Sequence, residues 1–167
     1  MRRLTLALVI LGFAAFPPAL ASAGGRPSRE PLVVEQGVFP AGEACSFKLA
    51  IHTVVNKGVV KTFPARPNGD VLLIITGRLI ERLTNVHTGK SIVVKSPGAA
   101  KITLHPDGSL TFVQMGRALL MFDPGDIPAG PATYLFIGRT VVDIPAGGPE
   151  ILVSHHGSQR DLCAALS

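Results

Sequence analysis

The chain has 167 residues, of which 47% are hydrophobic and 16% are charged. This composition excludes a disordered polyelectrolyte, and the length suits one ordinary domain. The net charge of +5 includes Arg2 and Arg3, which lie in a segment that we expect to be removed. The balance of +3 that remains is too small to indicate a nucleic-acid partner.

The N-terminus has the organisation of a secretory signal peptide. Arg2 and Arg3 precede the mostly apolar run 4–16, and two overlapping signal-peptidase sites end at Ala21 and Ala23. A helix over that run would span about 20 Å, short of the roughly 30 Å hydrocarbon core of a bilayer. We therefore predict that residues 1–23 are cleaved, that the protein is secreted, and that the mature chain has no membrane span. A retained anchor is the alternative.

The two cysteines, Cys45 and Cys163, predict one disulfide. Pairing is the usual state of two cysteines in an exported domain. The bond would tie the C-terminal tail to the start of the fold. A reactive thiol is the alternative, but no basic residue closely flanks either cysteine to lower its pKa.

The pattern after the signal segment is that of an all-β fold. Residues 24–31 are typical of a flexible lead-in, which leaves 32–167 as a single domain. The segment 47–55 alternates apolar and polar side chains, as a half-buried strand requires. Short segments of this kind predict a single antiparallel barrel or sandwich of about 8–10 strands. The predicted strands are 32–38, 47–55, 59–63, 71–76, 79–86, 91–95, 101–105, 109–115, 117–123 and 133–143, with a further one at 150–155.

Turn residues separate these strands, and one helix follows them. Asn56-Lys57-Gly58 suits a hairpin loop between 47–55 and 59–63. The strings Pro67-Asn68-Gly69-Asp70, Thr88-Gly89-Lys90 and Pro106-Asp107-Gly108 predict further turns. At the C-terminus, 158–166 is the one segment with a helical pattern, and Ser158 is its expected N-cap.

Three runs are apolar on both faces, which a half-exposed strand does not need. They are 71–75, 118–122 and 134–137. A strand that is buried on both sides has this pattern. The second face would be covered by the C-terminal helix, by a partner, or by a ligand in the interior.

No motif indicates a catalytic, cofactor or metal site. The string Thr88-Gly89-Lys90-Ser91 resembles the end of a P-loop, but Thr84 occupies the position of the first glycine. The histidines lack metal-ligand spacing, there is no G-x-S-x-G elbow, and Asp123 and Asp126 predict a solvated turn.

We therefore expect a non-enzymatic secreted domain without a cofactor, which binds a small apolar ligand or a protein partner. One alternative is a secreted hydrolase with dispersed catalytic residues such as His52, Asp123, Asp126 or His155. Another is a structural protein associated with the cell envelope.

Several short strings resemble a group of small exported actinobacterial-type all-β proteins of unknown function. The strings include Cys45-Ser46-Phe47, Asp107-Gly108-Ser109-Leu110-Thr111 and Asp161-Leu162-Cys163-Ala164-Ala165-Leu166. The resemblance covers most of 43–167 and implies an exported all-β domain closed by the cysteine pair. It implies no functional residues.

Overall fold

The computed structural model describes residues 25–167, which form ten β-strands and one short helix. The expected signal cleavage at Ala21 or Ala23 lies outside these residues. The strands are β1 (Ser28–Pro31), β2 (Gly37–Phe39), β3 (Leu49–Asn56), β4 (Val59–Thr62), β5 (Val71–Thr76), β6 (Arg78–Asn85), β7 (Ser91–Leu104), β8 (Leu110–Phe122), β9 (Ala132–Ile144) and β10 (Ile151–Asp161), and the helix is α1 (Leu162–Leu166).

The ten strands form one antiparallel sheet that is not closed into a barrel. Strand β7 is its branch point: the first half of β7 pairs with β6, and the second half lies between β5 and β8. From there β8 pairs with β9, and β9 pairs with β10. Each of β1, β2 and β10 pairs with one other strand, so these three are the edges of the sheet.

A row of glycines crosses the sheet where its two halves meet. The strand register aligns Gly98 of β7, Gly116 of β8, Gly138 of β9 and Gly157 of β10. Gly77 separates β5 from β6 and lies beside Gly98 in the same row. At this glycine row the backbones approach too closely for a side chain, which allows the long strands to bend.

The bend gives the domain two hydrophobic cores. One side of the β5–β6 run contributes Leu73 and Ile75 to the first core and, beyond Gly77, Leu83 to the second core. The same alternation continues in β7, where Ile102 belongs to the first core and Val94 to the second. On β5, β6 and β7 the two cores therefore lie on the same face of the sheet.

The C-terminal half of β8 lies between the two cores. Ala118, Leu120 and Phe122 pack in the first core, and Leu119 and Met121 pack in the second. The prediction of two-sided burial for 118–122 is therefore confirmed. Its cover is the second half of the same sheet together with α1, because α1 packs in the second core.

The other two apolar runs are buried less completely. In 71–75, Leu72 and Ile74 are half-buried on the outer face. In 134–137, Leu135 and Phe136 point into the two cores, whereas Ile137 is 36% exposed.

The predicted disulfide between Cys45 and Cys163 is present. The Cα atoms are 5.6 Å apart, a normal separation for a disulfide, and the bond joins positions 118 residues apart. Cys45 is fully buried in the second core, where α1 inserts Leu162 and Leu166. The C-terminus is thereby fixed to the segment that precedes β3.

The structure differs from the sequence predictions wherever strand pairing is non-local. Asn56-Lys57-Gly58 is not a hairpin loop: β3 pairs with β6 while β4 pairs with β5, so the two strands are consecutive parts of one bent run. The predicted strands 91–95 and 101–105 are one strand, β7, and 109–115 and 117–123 are one strand, β8. The chain continues through Gly98 in β7 and through Gly116 in β8, both of which belong to the glycine row.

Both ends of the domain also differ from expectation. The segment predicted to be a flexible lead-in contains β1, which pairs with β4 from Ser28 to Pro31. The helix predicted over 158–166 begins only at Leu162, because Ser158 still belongs to β10. Its N-cap is Asp161, whose carboxylate accepts a hydrogen bond of 2.9 Å from the backbone N–H of Ala164.

Within residues 25–167, none of the helical structure is long and apolar enough to cross a membrane.

Candidate functional site

A cavity of about 60 Å³ lies at the junction of the two cores, where β7 and β8 diverge. We call it the junction pocket. Its walls are mainly apolar and come from both cores and from the segment after β1. The lining residues include Leu32, Val34, Ile75, Leu79, Ala100, Phe112, Ala118 and Leu119, with Glu81, Ser96 and Gln114 as polar members and Arg78 and Arg117 at exposed positions.

Glu81 is the acidic side chain of the junction pocket. It lies on the inner side of β6 between Leu79 and Leu83, directly opposite Thr53 and Val94 on the neighbouring strands. Only 4% of the residue is exposed, and its carboxyl makes no hydrogen bond or ion pair with any residue in 25–167. Burial raises the pKa of Glu81 to about 7, because the charged form loses hydration without gaining a partner.

Two hydroxyl groups near Glu81 are also unpartnered. The Oγ1 atom of Thr53 and the Oγ atom of Ser96 are both buried and have no hydrogen-bond partner. Thr53 is directly across the strand pair from Glu81, and Ser96 lies two positions along β7 from Val94, on the same face. Buried polar atoms are normally satisfied. Of these groups, Glu81 and Ser96 line the junction pocket and can receive hydrogen bonds from a ligand there, whereas Thr53 does not line it.

The mouth of the junction pocket carries the opposite charge. Arg78 and Arg117 are exposed, and neither guanidinium makes an ion pair or hydrogen bond within the described chain. Gln114 fixes the adjacent backbone, since its Nε2 atom donates to the carbonyl oxygen of Arg117 at 3.1 Å. The pocket therefore has a buried acid inside and two free cations outside.

A second buried acidic group lies in the loop after β8, where the sequence predicted a solvated turn. That prediction is wrong for Asp126, which is 9% exposed and accepts hydrogen bonds from the backbone N–H groups of Asp123 at 2.6 Å and Glu150 at 2.8 Å. Burial, with the nearby charges of Asp126 and Asp123, raises the pKa of Glu150 to about 8. The loop is thus tied to the start of β10.

His105 links two turns through side-chain hydrogen bonds. Its Nδ1 atom lies 3.0 Å from Oδ1 of Asp70, and its Nε2 atom lies 3.2 Å from Oγ1 of Thr111. Hydrogen bonds from Asn68 and His105 lower the pKa of Asp70. In the neutral imidazole an ionised Asp70 selects the tautomer in which Nδ1–H donates to Asp70 and Nε2 accepts from Thr111.

The structure does not assemble the four residues named for a dispersed hydrolase. His52 is exposed on β3, Asp126 binds backbone amides beside Asp123, and Nδ1 of His155 lies 3.0 Å from Oγ1 of Thr140. Within the described residues, no contact joins His52, Asp126 and His155 to one another. Among residues 25–167, no group of three or more His, Cys, Asp or Glu side chains is placed to hold a metal ion.

Glu81 was missed by the sequence analysis. It follows an arginine and two aliphatic residues and precedes another arginine, a pattern that indicates ordinary strand alternation. Its burial depends on the bend at Gly77, which turns this face of β6 toward the second core. The only signal was the surplus of apolar residues, which suggested an interior ligand without locating it.

No family model, no curated protein and no solved structure matches the chain.

Proposed function

We propose that the protein is a secreted binding module whose junction pocket takes the amine end of a small zwitterionic molecule. The observation that carries this proposal is the Glu81 carboxyl, which is buried and unpartnered in a mainly apolar cavity. The Cys45–Cys163 disulfide supports the extracellular setting, because such bonds persist in oxidising compartments.

A positively charged group is the partner that Glu81 lacks. An unpaired buried carboxylate is costly, and an ammonium group in hydrogen-bond contact removes most of that cost. The hydroxyl oxygen of Ser96, which also lines the pocket, can accept a further N–H group. The two carboxylate oxygens of Glu81 and this hydroxyl together offer three oxygen acceptors to an ammonium group.

The size and charge of the pocket define the rest of the ligand. A volume of about 60 Å³ is roughly that of two water molecules in the liquid, so the pocket admits one end of a molecule. The apolar walls favour an aliphatic chain behind the amine. An acidic group at the outer end of that chain would meet Arg78 and Arg117.

Calorimetric titration at pH 8, where the Glu81 carboxyl is mainly ionised, tests the ligand class. We expect 4-aminobutanoate to bind more tightly than butylamine, and butanoate to bind least. Substitution Glu81→Gln should weaken 4-aminobutanoate binding by about 10- to 100-fold, the usual effect of losing a charge-assisted hydrogen bond. Glu43→Gln, at an exposed carboxyl outside the pocket, should leave binding unchanged. Equal binding to wild type and Glu81→Gln would contradict the proposal.

The stability of the free protein gives an independent check that Glu81 is buried without a partner. Its folded pKa of about 7 exceeds the ordinary 4.5, so the native state holds the proton more tightly than the unfolded state. The contribution of Glu81 to the free energy of unfolding should therefore fall by about 3 kcal/mol as pH rises from about 4.5 to about 7. Glu150, whose pKa is raised to about 8, adds a loss of the same sign that wild type and Glu81→Gln share. Glu81→Gln should lack the contribution of Glu81. In urea unfolding, the free energy of unfolding of Glu81→Gln should therefore increase relative to that of wild type between pH 5 and pH 8.

A hydrolase is the second candidate, and Asp70, His105 and Thr111 favour it. Their hydrogen bonds follow the order of an acyl-transfer triad, from carboxylate to imidazole to hydroxyl. The binding function ranks first because the His105 side chain is 33% exposed, whereas Glu81 is enclosed in a cavity.

Hydrolysis of p-nitrophenyl acetate distinguishes this triad from a simple link between two turns. If Thr111 is a nucleophile, Thr111→Val should lower the rate at least about a hundredfold, and Thr111→Ser should retain most of it. If wild type and Thr111→Val hydrolyse the ester at the same rate, the three residues only hold the turns together.

A further inference from the structure

An exposed basic surface lies beside the glycine row, on the face of β8 and β9 opposite the first core. In the rows that flank the glycines, the register places Met115, Arg139 and His156 side by side, and likewise Arg117 and Ile137. All five residues are exposed, with Met115 at 55%. We call this set the basic ridge.

The charges of the basic ridge are not neutralised by the protein itself. Within the described chain, the guanidinium groups of Arg117 and Arg139 make no ion pair or hydrogen bond. The register places no acidic residue in the two rows of the ridge, and Lys101 extends the positive surface along β7. Free arginines on one face attract an anionic partner.

The apolar content of the ridge narrows the choice of partner. The ridge lies on the face of β8 and β9 opposite the first core, one row away from Leu119 and Leu135 of the second core. Exposed Met115 and Ile137 among the arginines would gain nothing from a hydrated polyanion, but they would lose contact with water in the interface of a bilayer.

We infer that the basic ridge docks the protein on the surface of an anionic lipid bilayer. Arg117 and Arg139 contact the headgroup phosphates, and Met115 and Ile137 enter the boundary between headgroups and acyl chains. This contact is peripheral, since it uses exposed side chains of the sheet. The ridge shares Arg117 with the junction pocket, but Arg139 does not line that pocket, so Arg139→Ala tests the ridge separately from the pocket ligand.

Cosedimentation with vesicles tests the inference on the mature protein. Vesicles of phosphatidylglycerol and phosphatidylcholine should bind it at low salt, and vesicles of phosphatidylcholine alone should not. Arg139→Ala should weaken binding about fivefold, and Arg117→Ala/Arg139→Ala about 30-fold, the effect of losing basic residues at a charged membrane surface. Lys48→Ala, an exposed cation at the far end of β6 and β3, should bind like wild type.

The apolar residues separate a bilayer from a soluble polyanion. Met115→Ser/Ile137→Ser should weaken vesicle binding while keeping its dependence on salt. The inference is wrong if the protein fails to bind the anionic vesicles, or if Arg139→Ala binds them like wild type. It is also wrong if polyphosphate binds the protein and displaces it from vesicles while Met115→Ser/Ile137→Ser has no effect, since the ridge would then bind a soluble polyanion. Arg139→Ala should leave the binding of 4-aminobutanoate unchanged. A failure of the membrane inference can therefore be distinguished from a failure of the pocket proposal.

Discussion

Replacement of Cys45 and Cys163 by alanine is expected to lower the free energy of unfolding by about 4–5 kcal/mol. The disulfide joins positions 118 residues apart, so breaking it frees nearly the whole domain in the unfolded state. The loop-entropy model gives a loss of this size for a loop of more than about 100 residues. In thermal unfolding, the midpoint should fall by roughly 10–20 °C.

The surroundings of the bond determine which part of the protein loosens first. Leu162 and Leu166 of α1 are fully buried in the second core. The chain end is fixed by two further contacts: Nδ2 of Asn85 donates to the carbonyl oxygen of Leu166 at 3.2 Å, and Nζ of Lys90 donates to that of Ser167 at 2.7 Å. Without the disulfide these contacts alone hold α1, so hydrogen exchange should speed up there before it does in β8.

Reduced wild-type protein is the control for this substitution. It keeps both sulfur atoms in place, so its stability separates loss of the covalent link from loss of packing around Cys45. We expect reduction to account for most of the loss. A loss below about 1 kcal/mol on reduction would mean that the unfolded chain is already compact, and the entropic explanation would fail.

Local signals in the sequence predicted much of this fold correctly. The alternation around Ile102 and Leu104 and the turn Pro106-Asp107-Gly108 predicted the β7–β8 hairpin, since both depend on neighbouring residues alone. The predicted cysteine pair was also correct, because two cysteines in one chain have only one pairing available. These features need no knowledge of distant strands.

The errors come from interactions between distant parts of the chain. Asn56-Lys57-Gly58 has the composition of a hairpin loop, yet β3 and β4 pair with β6 and β5 instead of with each other. The local sequence of a turn-like segment does not reveal whether the chain reverses there or continues in the same direction. The local pattern predicts Ser158 as a helix cap, because the pairing of β10 with β9 as far as Asp161 leaves no signal in neighbouring residues.

The junction pocket was hidden for the same reason. Its lining residues come from five separate stretches of sequence, and the burial of Glu81 follows from the divergence of β7 and β8 beside Gly98. A charged residue in an alternating strand is normally assigned to the wet face. Only the bent sheet shows that this side of β6 faces the interior.

The glycine row accounts for both the bend and the pocket, and its requirement is strictest at the paired positions Gly138 and Gly157. Gly138 has φ of +131°, and a Cβ atom there would overlap the carbonyl oxygen of His156. Its partner Gly157 has φ of +142°, and a Cβ atom there would overlap the carbonyl oxygen of Ile137. Each backbone occupies the space that a side chain at the other position would need. A substitution at either glycine therefore requires the two strands to move apart.

Gly138→Ala is therefore expected to lower the free energy of unfolding by more than about 3 kcal/mol, combining an unfavourable backbone conformation with a forced separation of β9 from β10. Two glycines serve as controls in the same urea-unfolding experiment. Gly147 has φ of +68° and open space around it, so Gly147→Ala should cost only about 1–2 kcal/mol for its conformation. Gly125 has open space and lies outside the left-handed region, so Gly125→Ala should be nearly neutral. Equal losses in the free energy of unfolding for Gly138→Ala and Gly147→Ala would show that β10 can shift at the sheet edge. Close packing of the backbones at the glycine row would then not be the cause of the bend.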